Sequence, residues 1–436
     1  PWPMTEPRRG HPLVGVVVVN FRATELTLAC VESLIATDWP ADRLRVMVVD
    51  NSDDAGLAAA LAERFPGVIH RASGGNVGFA EACDIGMRHL SSVDHLALIN
   101  NDATVDPGWL DPLVRRLDAD PDLGAAVPKI LFAPRYLPVR ADRGGEVTGL
   151  TVNDIDVLAR VSPGSGARRR GDPERLGHHV LYVDHGSELL VPVPEDAAQP
   201  WTVALVVDGD QDDRSTLEPV GPPVDVINNF GTELLPGGFG TDRCFRTVDD
   251  GSCDVDTDVF SFSGGGVLFR RAFLDDVGLF DPRFFTYYED LDLGWRGRRR
   301  GWRYGTVARS TLRHLHTATT VEGSATFLFH NERNRLLTVA RNGSLRQLGS
   351  ALIGHARATL GLIRHDLLGA DRVARTGASA RLRVRCLALV SALLLLPATL
   401  VGRRGKLARR VGRRSIGLRS QPFRGTVMAM DERLPT

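Results

Sequence analysis

Three short stretches combine side chains that chemistry uses. The first is "ALINNDATVD", residues 97 to 106, an apolar run that ends in Asn100, Asn101 and Asp102. Asn and Asp after a strand are the usual residues of a turn, because their short side chains cap their own backbone. The second is "FFTYYEDLDLGWRGRRR", where Glu289 and Asp290 follow Phe285, Tyr287 and Tyr288 directly. Aromatic walls desolvate a carboxylate and move its pKa toward that of a working general base. Asp292 and Arg296 have the spacing of an i,i+4 pair, so Asp292 also has a structural explanation. The third is "RHLH": on a strand, His314 and His316 point the same way, toward a site or toward solvent. A neutral imidazole there would suit a divalent cation.

Such residues need elements to bring them together. From Val14 to Phe132 the chain alternates strand-like and helix-like patterns. "VGVVVVN", "LRVMVVDNS", "GVIHRAS" and "HLALINND" are β-rich runs, and helical periodicity follows each of the first three. This predicts an α/β fold with a mostly parallel sheet and helices on both faces. Ligands of such sheets bind beyond the carboxyl ends of the strands. The four ends carry Asn20, then Asp50 and Asn51, then Asn76, then Asn100, Asn101 and Asp102, so the pattern directs all of them to one edge. Gly265, in "SGGGVLF", belongs to a turn where backbone can approach a ligand closely.

The division along the chain is read as a tail (1–13), a first α/β half (14–134), a β-rich insertion (135–223), a second half (224–345) and a helical basic region (346–436). The composition, 43% hydrophobic and 24% charged, is that of a globular protein. Lys+Arg and Asp+Glu balance at 53 each, yet the last fifty or so residues are Arg-rich and almost free of carboxylates, which suggests an anionic partner. The apolar core at 386–401 is shorter than a span requires and contains Pro397. It is read as an interfacial or re-entrant helix held by its arginines on an anionic membrane surface, with a buried bundle helix as the alternative. Five scattered cysteines fit a reduced, cytosolic setting, although the closeness of Cys244 and Cys253 leaves a local disulfide open. No apolar leader precedes the first strand.

Taken in order, "VGVVVVNFRATE", "VVDNSDD", "GGNVGFAEACDIG", "LINNDATVDPGWL", "SGGGVLFRRAFLDDVGLFDPRFFTYYEDLDLGWRGRRRGW", "RHLHTAT" and "HNERNRL" resemble the family 2 glycosyltransferases of GT-A fold. The closest likeness is to their rhamnosyltransferase-like branch, which builds bacterial cell-surface polysaccharides. The resemblance implies transfer of a sugar from a nucleoside-diphosphate donor to a glycan or lipid-linked glycan, at the cytoplasmic face of the membrane, with no nucleic-acid partner. It assigns Asn20, Asp50, Asn51, Asn76, Gly78, Asn100, Asn101 and Gly265 to the nucleotide sugar. Asp102 becomes a ligand of Mg²⁺ or Mn²⁺ in the D-x-D slot, with Asn100 in place of the first carboxylate and His314 or His316 as the imidazole. Asp290 becomes the catalytic base, with Glu289 beside it.

The chain departs from the family pattern at Asp84, where Asn is common, and in the length of its insertion. Other readings fare worse against the residues. A dinucleotide oxidoreductase needs G-x-G-x-x-G after the first strand, where this chain has "VVNFRATE". A sugar nucleotidyltransferase would carry a Gly-rich basic loop there. A glycan-binding protein with a decayed site would not be expected to keep Asp50, Asp102 and Asp290.

Overall fold

The computed structural model describes residues 10–52, 54–171, 179–208, 214–315, 323–368 and 372–404. Strands β1 (Val14–Asn20), β2 (Leu44–Asp50), β3 (Ile69–Ala72) and β4 (His95–Asn100) alternate with helices α1 (Thr24–Ile35), α2 (Ala55–Arg64) and α3 (Phe79–His89). The short β5 (Ala103–Val105), α4 (Leu110–Ala119) and the long β6 (Leu123–Phe132) follow. Later come β7 (Gly266–Arg270), α5 (Arg271–Val277), α6 (Glu289–Arg299), β8 (Arg303–His314), α7 (Ala325–Asn342), α8 (Leu345–Leu368) and α9 (Arg372–Arg404).

The main sheet is mixed. Strands β3, β2, β1 and β4 lie side by side in parallel. β7 then runs antiparallel to β4 and to β6, and β8 pairs with β6 in parallel. The β-branched runs explain the burial: every residue of β1 is buried, as a strand covered on both faces requires. Val16 and Val18 pack under α1, α2 and α4 with Leu28, Leu34, Leu57 and Leu113. Val17 and Val19 point the other way, to Cys83, Met87, Phe273 and Leu293. Period two along the strand therefore divides the core into two layers and leaves the strand ends free for polar work.

Between Tyr136 and Leu217 the chain builds two small antiparallel sheets around a separate apolar core that includes Leu150, Leu181, Leu189 and Leu205. After it, Cys244 and Cys253 are joined by a disulfide, where a reduced state was the default expectation. They are nine positions apart in sequence, and the local fold places their Cα atoms 6.7 Å apart.

The C-terminal segment also differs from the sequence reading. α9 is one helix of 33 residues that passes through Pro397, and its stretch Ser379–Val401 is long and apolar enough to cross a membrane by length and composition. A proline removes one internal hydrogen bond but does not end a helix whose flanking turns are packed. One face of α9 buries Ala388, Ala392 and Thr399. Arg385 pairs with Glu332 of α7 at 2.7 Å.

Candidate active site

The polar ends of β1 and β2 form one hydrogen-bonded unit. Asn20 donates to Asp50 Oδ1 at 2.9 Å, and Thr27 of α1 holds the Asn20 carbonyl oxygen, also at 2.9 Å. Asp50 is 1% exposed, and its two oxygens accept from Ser52 N, Ser52 Oγ and Asp54 N. Its carboxylate thus shapes the β2–α2 loop. Beside it a cleft of about 630 Å³ opens, lined by Arg22, Thr24, Glu25, Ser52 and Asp54.

The next loop is held in the same way. Asn51 accepts from Val77 N and donates to Asn76, whose oxygen accepts from Gly78 N. Gly78 opens α3 at φ 87°, and a Cβ there would lie 2.5 Å from the Phe285 ring. Glycine is required for both reasons. Asn101 turns away from the strand edge toward α1, donating to Thr27 Oγ1 at 3.1 Å. It supports Asn20 through a shared partner.

At the end of β4, Asp102 meets the last residue of β8. His314 Nε2 lies 3.0 Å from Asp102 Oδ1 and 3.2 Å from Asn100 Nδ2. The other ring nitrogen, Nδ1, is 3.0 Å from Asn228 Oδ1. A carbonyl oxygen only accepts, so Nδ1 donates to Asn228 and the ring is held with Nε2 facing Asn100 and Asp102. An imidazole nitrogen and a carboxylate oxygen, with the ring oriented from behind, are ligand types that a divalent cation takes. Among the described residues no third His, Cys, Asp or Glu joins them. His316 lies outside the described residues. Asn228 was not singled out from the sequence. Its one signal is that "VINN" repeats the apolar-run-then-Asn-Asn form of "LINN".

The "SGGG" turn links this edge to the second acidic cluster. Gly265 O accepts from Asn100 N at 3.1 Å, while the preceding residue, Gly264, donates its N–H to Asp290 Oδ2 at 3.0 Å. Leu291 N donates to Asp290 Oδ1 at 2.7 Å. Burial raises the Asp290 pKa, and these two backbone donors act against the rise. Part of Asp290 remains exposed, but Glu289 is 5% exposed and its Oε2 has no hydrogen-bond partner. Burial first, and then the neighbouring Asp290 charge, push Glu289 well above the usual carboxylate range. Of the two carboxyls expected to serve catalysis, Glu289 is the more enclosed, while Asp290 keeps part of its surface exposed.

Asp292 belongs to the fold. It is fully buried, with Arg296, Arg341 and Asn342 around it at 2.7 to 2.8 Å. Asp84 also turns inward and accepts from Phe280 N at 3.0 Å.

Residues 15–146 match the model of "Glycosyl transferase family 2", and residues 246–335 match "Glycosyltransferase like family 2". The chain is 23% identical over 316 residues to N-acetylglucosaminyl-diphospho-decaprenol L-rhamnosyltransferase of Mycobacterium tuberculosis, in both strain CDC 1551 / Oshkosh and strain ATCC 25618 / H37Rv. The match spans 70% of this chain and 76% of the relative. Among solved structures, GalNAc-T7 with UDP, GalNAc and Mn²⁺ aligns with TM-score 0.49 and 12% identity, over 92% of this chain and 59% of its own length. The mannosyltransferase PcManGT of Pyrobaculum calidifontis, with GDP-Man and Mn²⁺, aligns with TM-score 0.42 and 15% identity, over 90% of each chain.

Proposed function

We propose that the chain is a family 2 glycosyltransferase of rhamnosyltransferase-like type that transfers its sugar with inversion, using Asp290 as general base and a divalent cation; the family matches over residues 15–146 and 246–335 support this reading. One observation carries this reading. Adjacent residues of the "SGGG" turn bond the Asp102–His314 edge through Asn100 and the Asp290 carboxylate, which ties the diphosphate side to the acceptor side.

The roles follow from position. Asn20, Asp50, Asn51, Asn76 and Gly78 hold the loops that would receive the nucleotide. Asp102 and His314, with the donor's phosphates, would hold Mg²⁺ or Mn²⁺, which offsets the charge that develops on the departing nucleoside diphosphate. Asp290, with its raised pKa, takes the proton of an acceptor hydroxyl aimed at the anomeric carbon. A single accessible base and attack opposite the leaving group give inversion. Binding both substrates in this geometry supplies much of the acceleration.

The acceptor proposed is a polyprenyl-diphosphate-linked glycan, by analogy with the mycobacterial relative. A membrane-surface position supports it. Leu352, Ile353 and Leu360 of α8 and Leu387, Val390, Leu393, Leu394 and Val401 of α9 are exposed, and no Asp or Glu occurs between Asp371 and Asp431. Because Arg385 pairs with Glu332 inside the protein, α9 offers lipid one face only. This favours lying on an anionic cytoplasmic surface over crossing it.

The test is a panel of UDP-, GDP- and dTDP-sugars with Mg²⁺ or Mn²⁺ and a short-chain N-acetylglucosaminyl-diphospho-prenol. The expected product has inverted anomeric configuration by NMR and disappears with a chelator. Retention, or transfer undiminished by the chelator, would refute the proposal.

A further inference from the structure

The loop entering α6 is the most strained backbone near the candidate base. Phe285 (φ 65°, ψ −62°), Tyr287 (φ 67°) and Tyr288 (φ 71°, ψ −4°) all lie at positive φ. Side chains with a Cβ disfavour that region, and these bulky residues lack the short polar group that lets Asn or Asp adopt it. Phe285 occupies the rare, strained form of γ-turn, closed by Thr286 N donating to Phe284 O at 2.8 Å. The loop's own sequence gives no reason for this path, so the surroundings must impose it.

Helix α7 does so. Asn334, 0% exposed, places Nδ2 at 2.9 Å from Phe284 O, 2.8 Å from Thr286 O and 2.7 Å from Tyr287 O. Its carbonyl oxygen accepts from Arg333 Nε at 2.8 Å, which fixes the amide's orientation. Arg333 Nη2 reaches Arg283 O and Phe284 O at 3.0 and 2.7 Å. From the opposite side Phe285 O accepts from Ala80 N at 3.1 Å, and the Phe285 ring lies against Gly78. Strained backbone is thus gripped between α7 and the start of α3, two residues before Asp290.

We propose that Asn334, braced by Arg333, is a positioning residue for sugar transfer: it holds Phe284–Tyr288 in its left-handed path and so aims Asp290 at the acceptor hydroxyl. This rests on the reading of Asp290 as the base. Asn334 touches no reacting atom, and its effect passes through the backbone.

The test uses the full chain with Asn334→Ala and with Asn334→Asp, which keeps the volume but offers oxygens to three carbonyls. The donor is whichever panel sugar the unaltered chain turns over fastest, and Mn²⁺-dependent binding of its nucleoside diphosphate is measured separately. Both variants should lose about 100-fold in transfer kcat, bind the nucleoside diphosphate within about twofold of the unaltered chain, and shift the acid limb of the pH–rate profile. The Asp variant should be at least as impaired as the Ala variant. Near-normal kcat in both, a parallel loss of nucleotide affinity, or loss of folded protein in both by circular dichroism would overturn the proposal. Asp290→Asn is assayed alongside. Full transfer there defeats the base reading and this proposal with it, whereas an inactive Asp290→Asn beside active Asn334 variants defeats the positioning role alone.

Discussion

His314 Nε2 stands 3.0 Å from Asp102 Oδ1, although the two residues are 212 positions apart in sequence, and Asn228 fixes the ring from behind. The pair is the donor set proposed for the divalent cation. Asp102→Ala and His314→Ala should each weaken Mn²⁺-dependent binding of the nucleoside diphosphate. Asn228→Ala should cost about 10- to 100-fold, the usual range for a residue that orients a metal-bound histidine. Titration calorimetry with and without the ion checks this, and unchanged binding in all three would remove the cation from this site.

Asp84 provides a stability prediction. Burial raises its pKa to about 7, with Phe280 N and then Arg88 acting against the rise. A carboxyl raised in the folded state above its unfolded value near 3.8 contributes stability that is complete below the unfolded value. That contribution is lost as pH climbs through 7. Asp84→Asn keeps an acceptor for Phe280 N but cannot ionise. The variant should therefore melt higher than the unaltered chain at pH 8 and close to it at pH 4. An equal change at both pH values would contradict the assignment.

At Gly78 two constraints coincide, a φ of 87° and a Phe285 ring where a Cβ would be. Gly78→Ala should destabilise by about 1–3 kcal/mol, as strain at such positions does. Displacement of Phe285 should also lower transfer more than folding. Melting temperature and kcat measured on the same preparation separate the two effects.

The exposed apolar face of α8 and α9 should respond to charge. Leu393→Glu with Leu394→Glu should reduce cosedimentation with phosphatidylglycerol-containing vesicles by about tenfold or more, and raised salt should weaken the unaltered chain's binding. Extraction at alkaline pH should release the protein, as expected for surface attachment. Resistance to extraction would show that α9 spans.

The alternating units of the first half were legible because β1 and β2 are β-branched runs and β4 an apolar run, each with a polar end, and that pattern alone sent Asn20, Asp50 and Asp102 to one edge. Local pattern could not show which way each polar side chain turns once there. Asn101 points to α1, Glu289 is enclosed and Asp84 faces Phe280 N. Asn228 and Asn334 escaped notice because their partners lie 86 and about 50 positions away, at separations where periodicity carries no signal. The continuity of α9 through Pro397 and the Cys244–Cys253 bridge likewise depend on packing.

The central claim is that Asp290 deprotonates the acceptor, and Asp290→Asn in single-turnover transfer tests it most directly. The variant should bind the nucleoside diphosphate with unchanged affinity and lose transfer by at least about 100-fold. In the unaltered chain, rates should fall on acidification through a pKa above the ordinary carboxylate range, because burial raises that of Asp290. An Asp290→Asn chain that transfers at the normal rate, with the same acid limb, would contradict the account.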